Sequence, residues 1–67
     1  MPAIFVEAGP MTGNQKEALG KRLTMDTSEV LGIAPENILL FMRENPLDNI
    51  TVGGESVEKL LKQRAGK

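Results

Sequence analysis

Four residue types that carry much of enzyme chemistry are missing: the chain of 67 residues has no histidine, cysteine, tryptophan or tyrosine. Without histidine and cysteine, imidazole catalysis, thiol nucleophiles, disulfide bonds and Cys/His zinc sites are excluded. Only two phenylalanines are available to stack on bases, and the net charge of −1 does not suit a nucleic-acid partner. We therefore expect no metal, no cofactor and no nucleic acid.

Long hydrophobic runs are missing as well. No apolar stretch approaches the roughly 20 residues that a membrane-spanning helix needs. The first residues also lack the charged and apolar regions of a signal peptide. These absences predict a soluble cytoplasmic protein without a membrane partner.

The small size of the chain limits its core, and we interpret residues 1–67 as a single domain. A chain this short buries only about 60% of its unfolded surface, and such domains usually depend on disulfides, metals or association. Because the composition excludes disulfides and lacks the usual metal ligands, association remains, and the sequence predicts a homo-oligomer.

Hydrophobic patterning and turn signals predict an α/β (α+β) fold. The expected elements are a strand at 3–8, a helix from Thr12 to about Leu31, a strand at 38–43, a short hairpin strand at 50–54 that enters a glycine turn, and a helix at 56–64. Thr12 and Gln15 have the spacing of a capping box, and Gly32 fits a helix stop. Two strands joined by a helix form a βαβ unit, so the long strands should be parallel with a right-handed crossover.

Both long strands are apolar on both faces. In the first, Ile4 and Val6 alternate with Phe5, and the second has the same character in Leu39 to Met42. One helix covers one face only, and strands without polar alternation are normally buried on both sides. We therefore expect the second face to pack against another subunit.

Pro2 directly follows Met1 and leads into the first apolar strand. The initiator methionine is commonly removed before a small residue, and its removal would leave Pro2 with a secondary amine. Burial disfavours the charged form of such an amine, so it could act as a general base near neutral pH. Pro2 is therefore the candidate catalytic residue.

Several short motifs follow one another from Pro2 to about Leu61. They are Met-Pro before an apolar strand, a glycine-containing turn, Thr-x-x-Gln-Lys opening a long helix, Leu-Gly-Ile-x-Pro-Glu-Asn before the second strand, and Glu-Asn-Pro followed by Val-Gly-Gly. In this order and spacing they resemble the 4-oxalocrotonate tautomerase family. The resemblance implies a tautomerase-like fold, a hexamer built as a trimer of dimers, and enol–keto interconversion of a small 2-oxo acid or related enol by the amine of Pro2.

Three positions depart from the family pattern. The turn that normally carries a carboxylate-binding arginine reads Gly9-Pro10-Met11, and the second arginine is matched by Leu39. The aromatic wall of the family's site is matched by Ile50. Leu39 and Ile50 are therefore candidate substrate-binding residues of an apolar kind, and a diacid is not the expected substrate.

Arg43 is a candidate replacement for the missing arginines. It lies two and four residues from Phe41 and Leu39, so strand alternation points all three to one face. The alternative is that Arg43 ends the strand and pairs with Glu44, Asp48 or solvent.

Two functions of different class fit these observations. The first is a Pro2-dependent tautomerase acting on a small-molecule enol or 2-oxo acid. The second is a non-catalytic, oligomeric small-ligand-binding protein on the same scaffold. Loss of both arginines favours the binder, whereas Pro2, in a chain with no other general base of suitable pKa, favours the enzyme.

Overall fold

The computed structural model describes residues 2–65, and its regular elements occur in the predicted order. They are β1 (Ala3–Ala8), α1 (Gly13–Leu31), β2 (Leu39–Glu44), β3 (Thr51–Val52), β4 (Glu55–Ser56) and α2 (Val57–Ala65). Short 3-10 turns at Pro35–Asn37 and Leu47–Asn49 precede β2 and β3. The predicted α+β class, with one βαβ unit followed by a hairpin and a helix, is confirmed.

The two long strands pair in parallel, as predicted. Their register runs from Ala3 opposite Leu39 to Ala8 opposite Glu44. β2 begins one residue later than expected because Ile38 still belongs to the preceding turn, where its N–H donates to the carbonyl of Pro35 at 3.0 Å.

Helix α1 begins and ends with the predicted caps. The Thr12 hydroxyl accepts from the N–H of Gln15 at 3.1 Å, and the Gln15 side chain accepts from the N–H of Thr12 at 2.9 Å. Gly32 follows with a φ of 66°, a left-handed conformation in which its N–H donates to the carbonyl of Ser28 at 2.9 Å. Local sequence therefore sets both ends of the helix.

One face of the β1–β2 sheet packs against α1. A Cβ built on Gly20 would lie 3.3 Å from the terminal methyl group of Met42, so the helix approaches the sheet closely at this glycine. Strand alternation places Ile4, Val6 and Leu40 on the same face as Met42, and all four are half-buried. This layer is the core of the chain.

The other face of the sheet is apolar and uncovered. Phe5 and Phe41 stack on each other across the strands, with ring centroids 5.1 Å apart. Phe5 is nevertheless 62% exposed, Phe41 48% and Leu39 44%. We call these three residues the open sheet face. An apolar surface of this kind normally marks an interaction site.

The single chain has little buried interior. Among the described residues Ile38 alone is buried, at 8% exposure. The radius of gyration is 15.6 Å, whereas a globular chain of this length would have one of about 11 Å. Folding of one copy therefore leaves much apolar surface in contact with water.

The C-terminal part forms the hairpin expected around the glycine turn, with strands of only two residues each. β3 and β4 pair antiparallel, and Gly53 and Gly54 connect them with φ values of 61° and 87°. Positive φ at both central residues is the requirement of the tight hairpin turn that matches strand twist. No helix in the described part of the chain is long and apolar enough to cross a membrane.

We predict that Thr12→Ala lowers the free energy of unfolding by about 1 kcal/mol, because it removes the hydroxyl that caps α1. Urea unfolding at fixed protein concentration measures this. The control is Asn14→Ala, which changes an exposed neighbour in the first turn. Equal stability of Thr12→Ala and the parent protein would contradict the role of the cap.

Candidate active site

Pro2 lies directly before β1 and beside the start of β2. Its carbonyl accepts a hydrogen bond from the N–H of Leu39 at 3.0 Å, and its side chain is half-buried. Because Ala3 is opposite Leu39 in the sheet, the first residues of both strands lie at the same end. The structure thus brings together two of the four candidate residues, Pro2 and Leu39.

Arg43 lies at the other end of the sheet. It is four residues beyond Leu39, which corresponds to about 13 Å along an extended strand. Its side chain lies on the same side of the sheet as the open sheet face, as strand alternation predicted. Its partner there is Glu7, with Arg43 Nη1 and Glu7 Oε2 3.0 Å apart. Glu44 and Asp48, the partners considered from the sequence, do not pair with it, because the parallel register sets Glu7 opposite Arg43.

Ile50 belongs to the same end of the molecule as Arg43. It follows the second 3-10 turn, and its carbonyl accepts from the N–H of Val57 at 2.7 Å, which ties the hairpin to the start of α2. The half-buried Ile50 lines a shallow hollow, the strand-end depression, together with Glu7, Ala8, Gly9, Asn45, Asn49 and Thr51.

The four candidate residues therefore form two groups at opposite ends of one chain. Pro2 and Leu39 are at the beginning of the parallel strands, and Arg43 and Ile50 are at their end. A pocket that contains all four requires a second chain to bring its strand end to the Pro2 end of the first.

A polar network joins the turn after β1 to the end of β2. Glu44 accepts from Lys16 Nζ through Oε2 at 2.9 Å and from the N–H of Met11 through Oε1 at 2.8 Å. The hydrogen bond from Lys16, then that from Met11, lowers the pKa of Glu44 below its ordinary value of 4.5. Glu44 thereby fixes the backbone at Met11, in the turn Gly9-Pro10-Met11 that the resemblance matches to the region of a family arginine.

Sequence reasoning did not identify Glu7 as part of this region, and it considered Glu44 only as a partner of Arg43. Glu7 is the one charged residue in the otherwise apolar β1. Its presence could have indicated from the sequence that this end of the strand is polar. Lys16 was noted only as part of the Gln-Lys motif, and its partner Glu44 is 28 residues away. Such pairs depend on strand register, which spacing along the chain does not reveal.

Comparison with known proteins gives a family match. The model of the family described as "Tautomerase enzyme" matches residues 4–60. No curated protein matches the chain.

Three solved structures are similar to most of the chain. The first is TomN, described as a 4-oxalocrotonate tautomerase homologue in the tomaymycin biosynthetic pathway, with 32% identity, a TM-score of 0.82 and coverage of 96% of this chain and 95% of that one. The second is DmpI from Helicobacter pylori, with 27% identity, a TM-score of 0.77 and coverage of 87% and 98%. The third, described as apo unFused 4-OT, has 23% identity, a TM-score of 0.83 and coverage of 88% and 98%, and supports the fold alone.

We predict that Glu44→Gln lowers the melting temperature at neutral pH and that this difference disappears on acidification. The pKa of Glu44 is lower in the folded chain than in the unfolded one, so its contribution is present above about pH 4.5 and is lost as pH falls through the folded value. Melting curves of parent and variant across this range measure the effect.

The control for this experiment is Glu17→Gln, which removes the carboxylate of a more exposed ion pair between Glu17 and Lys21. Exposed pairs contribute little to stability, so this variant should show a smaller difference at neutral pH. A pH-independent difference for Glu44→Gln would contradict the role of its charge.

Proposed function

The chain belongs to the tautomerase family, and we propose that it is an isomerase in which the amine of Pro2 interconverts the enol and keto forms of a small 2-oxo acid or related enol. The observation that carries the proposal is the place of Pro2, half-buried before β1 and hydrogen-bonded to Leu39 at the head of β2. The chain has no histidine or cysteine that could serve instead.

The proposed chemistry needs a free amine at Pro2. Met1 precedes Pro2 in the sequence, and a proline nitrogen within a peptide bond has no basicity. The active form is therefore the chain that begins at Pro2 after removal of Met1. In that form the neutral amine takes a proton from the enol oxygen or from the carbon beside the carbonyl and returns it to the other atom.

An apolar surrounding would keep this amine in its neutral form. Desolvation disfavours an ammonium, so burial under a covering subunit should lower the pKa of the amine towards neutrality. A general base with a pKa near the working pH is the most effective. Leu39, which the resemblance matches to a family arginine, offers no contact to a substrate carboxylate.

We propose that the site is completed by association of single-domain chains into a hexamer. The open sheet face, the small buried interior and the large radius of gyration support association. The separation of Pro2 from Arg43 and Ile50 within one chain supports a shared site, in which a neighbouring chain supplies Arg43 and Ile50 as substrate-binding residues.

A second candidate function is non-catalytic binding of a small ligand by the same assembly. The engagement of Arg43 by Glu7 favours it, because this pairing leaves less positive charge to polarise a substrate carbonyl. Turnover distinguishes the two functions, since a binder retains affinity without accelerating ketonisation.

We predict that Pro2→Ala lowers the rate of ketonisation of an aryl enol-pyruvate by about 100-fold or more, the usual contribution of a positioned general base. Ultraviolet absorbance follows the reaction, on protein shown by intact mass to begin at residue 2. Pro10→Ala, which changes an exposed proline in the turn after β1, is the control. Parent-like turnover by Pro2→Ala would rule out the amine mechanism.

Association is tested by Phe41→Asp. We predict that this variant sediments as smaller species than the parent, because burying an unpaired carboxylate in a subunit interface is strongly unfavourable. Val30→Asp places the same charge on α1 at a residue that is 81% exposed, and it should sediment like the parent. An unchanged assembly in Phe41→Asp would show that the open sheet face is not the interface.

A further inference from the structure

Both carboxylate oxygens of Glu7 are engaged at the edge of the strand-end depression. Oε2 accepts from Arg43 Nη1 at 3.0 Å, and Oε1 accepts from Asn45 Nδ2 at 3.1 Å. Asn45 is itself fixed to β1, since its backbone N–H donates to the carbonyl of Ala8 at 2.8 Å. We call Glu7, Arg43 and Asn45 the Glu7 bridge.

The Glu7 bridge cancels the charge of Arg43. The other side chains around the strand-end depression are uncharged, namely Ala8, Asn49, Ile50 and Thr51. Arginine presents five N–H donors and Glu7 accepts one of them, so Arg43 can still meet one further acceptor. A dianionic ligand at this end, however, would meet a neutral pair in place of a free cation.

Within the single chain, the contribution of this pair to stability is small. The side chain of Arg43 is 67% exposed and that of Glu7 is 54% exposed, and ion pairs at such positions add little to the free energy of unfolding. Its main physical consequence is therefore electrostatic: it determines the charge that the strand end offers to a ligand.

From this geometry we infer that Glu7 is a specificity-determining residue that directs the site towards ligands with one carboxylate and against those with two. The inference rests on the proposed function, in which the strand end of one chain completes the site around Pro2 of another. The ligand class is a 2-oxo acid, or the enol of one, whose distal end is uncharged.

The test is the binding of two five-carbon probes, 2-oxopentanoate with one carboxylate and 2-oxoglutarate with two, measured by titration calorimetry on the assembled protein that begins at Pro2. Glu7→Gln keeps an oxygen that can accept from Asn45 but removes the charge, which frees Arg43. We expect the affinity for 2-oxoglutarate relative to 2-oxopentanoate to rise about tenfold, the effect of one gained charge-assisted contact. The double variant Glu7→Gln with Arg43→Ala should lose this gain.

The control is Glu55→Gln, which makes the same change of charge in the β3–β4 hairpin and should leave the ratio of affinities unchanged. An unchanged ratio in Glu7→Gln, an equal rise in Glu55→Gln, or no binding of either probe by parent and variant would overturn the inference. A purely structural role of the pair would alter sedimentation or melting without altering the ratio.

A second variant keeps the inference testable if Glu7→Gln does not assemble. Arg43→Ala leaves Glu7 unpaired, so the affinity for 2-oxoglutarate should fall more than that for 2-oxopentanoate, and equal losses would count against the inference. Because binding needs no turnover, these results are independent of the Pro2→Ala assay. Failure of the catalytic proposal and failure of this one are therefore distinguishable.

Discussion

The parallel register between β1 and β2 is the constraint on which the rest of the structure depends. With Ala3 opposite Leu39, Phe5 meets Phe41 and Glu7 meets Arg43 on one face. A shift by one residue would move every side chain of a strand to the other face. The aromatic stack, the ion pair and the position of Pro2 beside Leu39 all follow from this alignment.

The βαβ unit has a single helix, and for this reason one face of its sheet stays uncovered in the single chain. α1 covers one face of the two-stranded sheet, where Gly20 lets the helix pack closely against Met42. Nothing in residues 2–65 covers the other face. Since a chain of this size can bury only about 60% of its unfolded surface, the open sheet face is where association offers the largest gain. The same incompleteness divides the candidate site, because Pro2 and Arg43 lie at opposite ends of the strands.

Under the proposed function, the polar residues at the strand ends adapt the family scaffold to a ligand of different charge. The resemblance matches Leu39 to a family arginine and Ile50 to an aromatic residue, and it matches the turn Gly9-Pro10-Met11 to the region of another arginine. Glu44 holds the backbone at Met11, and Glu7 holds the side chain of Arg43. The result is a surface with fewer available cations, which is consistent with an uncharged distal group on the ligand.

Local features were determined by the sequence alone. The capping box of Thr12 and Gln15, the left-handed Gly32 and the parallel strands depend on contacts between near neighbours or on the length of one crossover, so patterning was sufficient to predict them. The motifs around Pro2 likewise indicated the family. The partner of Arg43, the link from Glu44 to Lys16 and the separation of Pro2 from Ile50 were decided only by the tertiary structure. In each case the two residues are about 30 or more positions apart in the sequence. Strand register and helix placement decide whether such residues meet, and no local pattern encodes either of them.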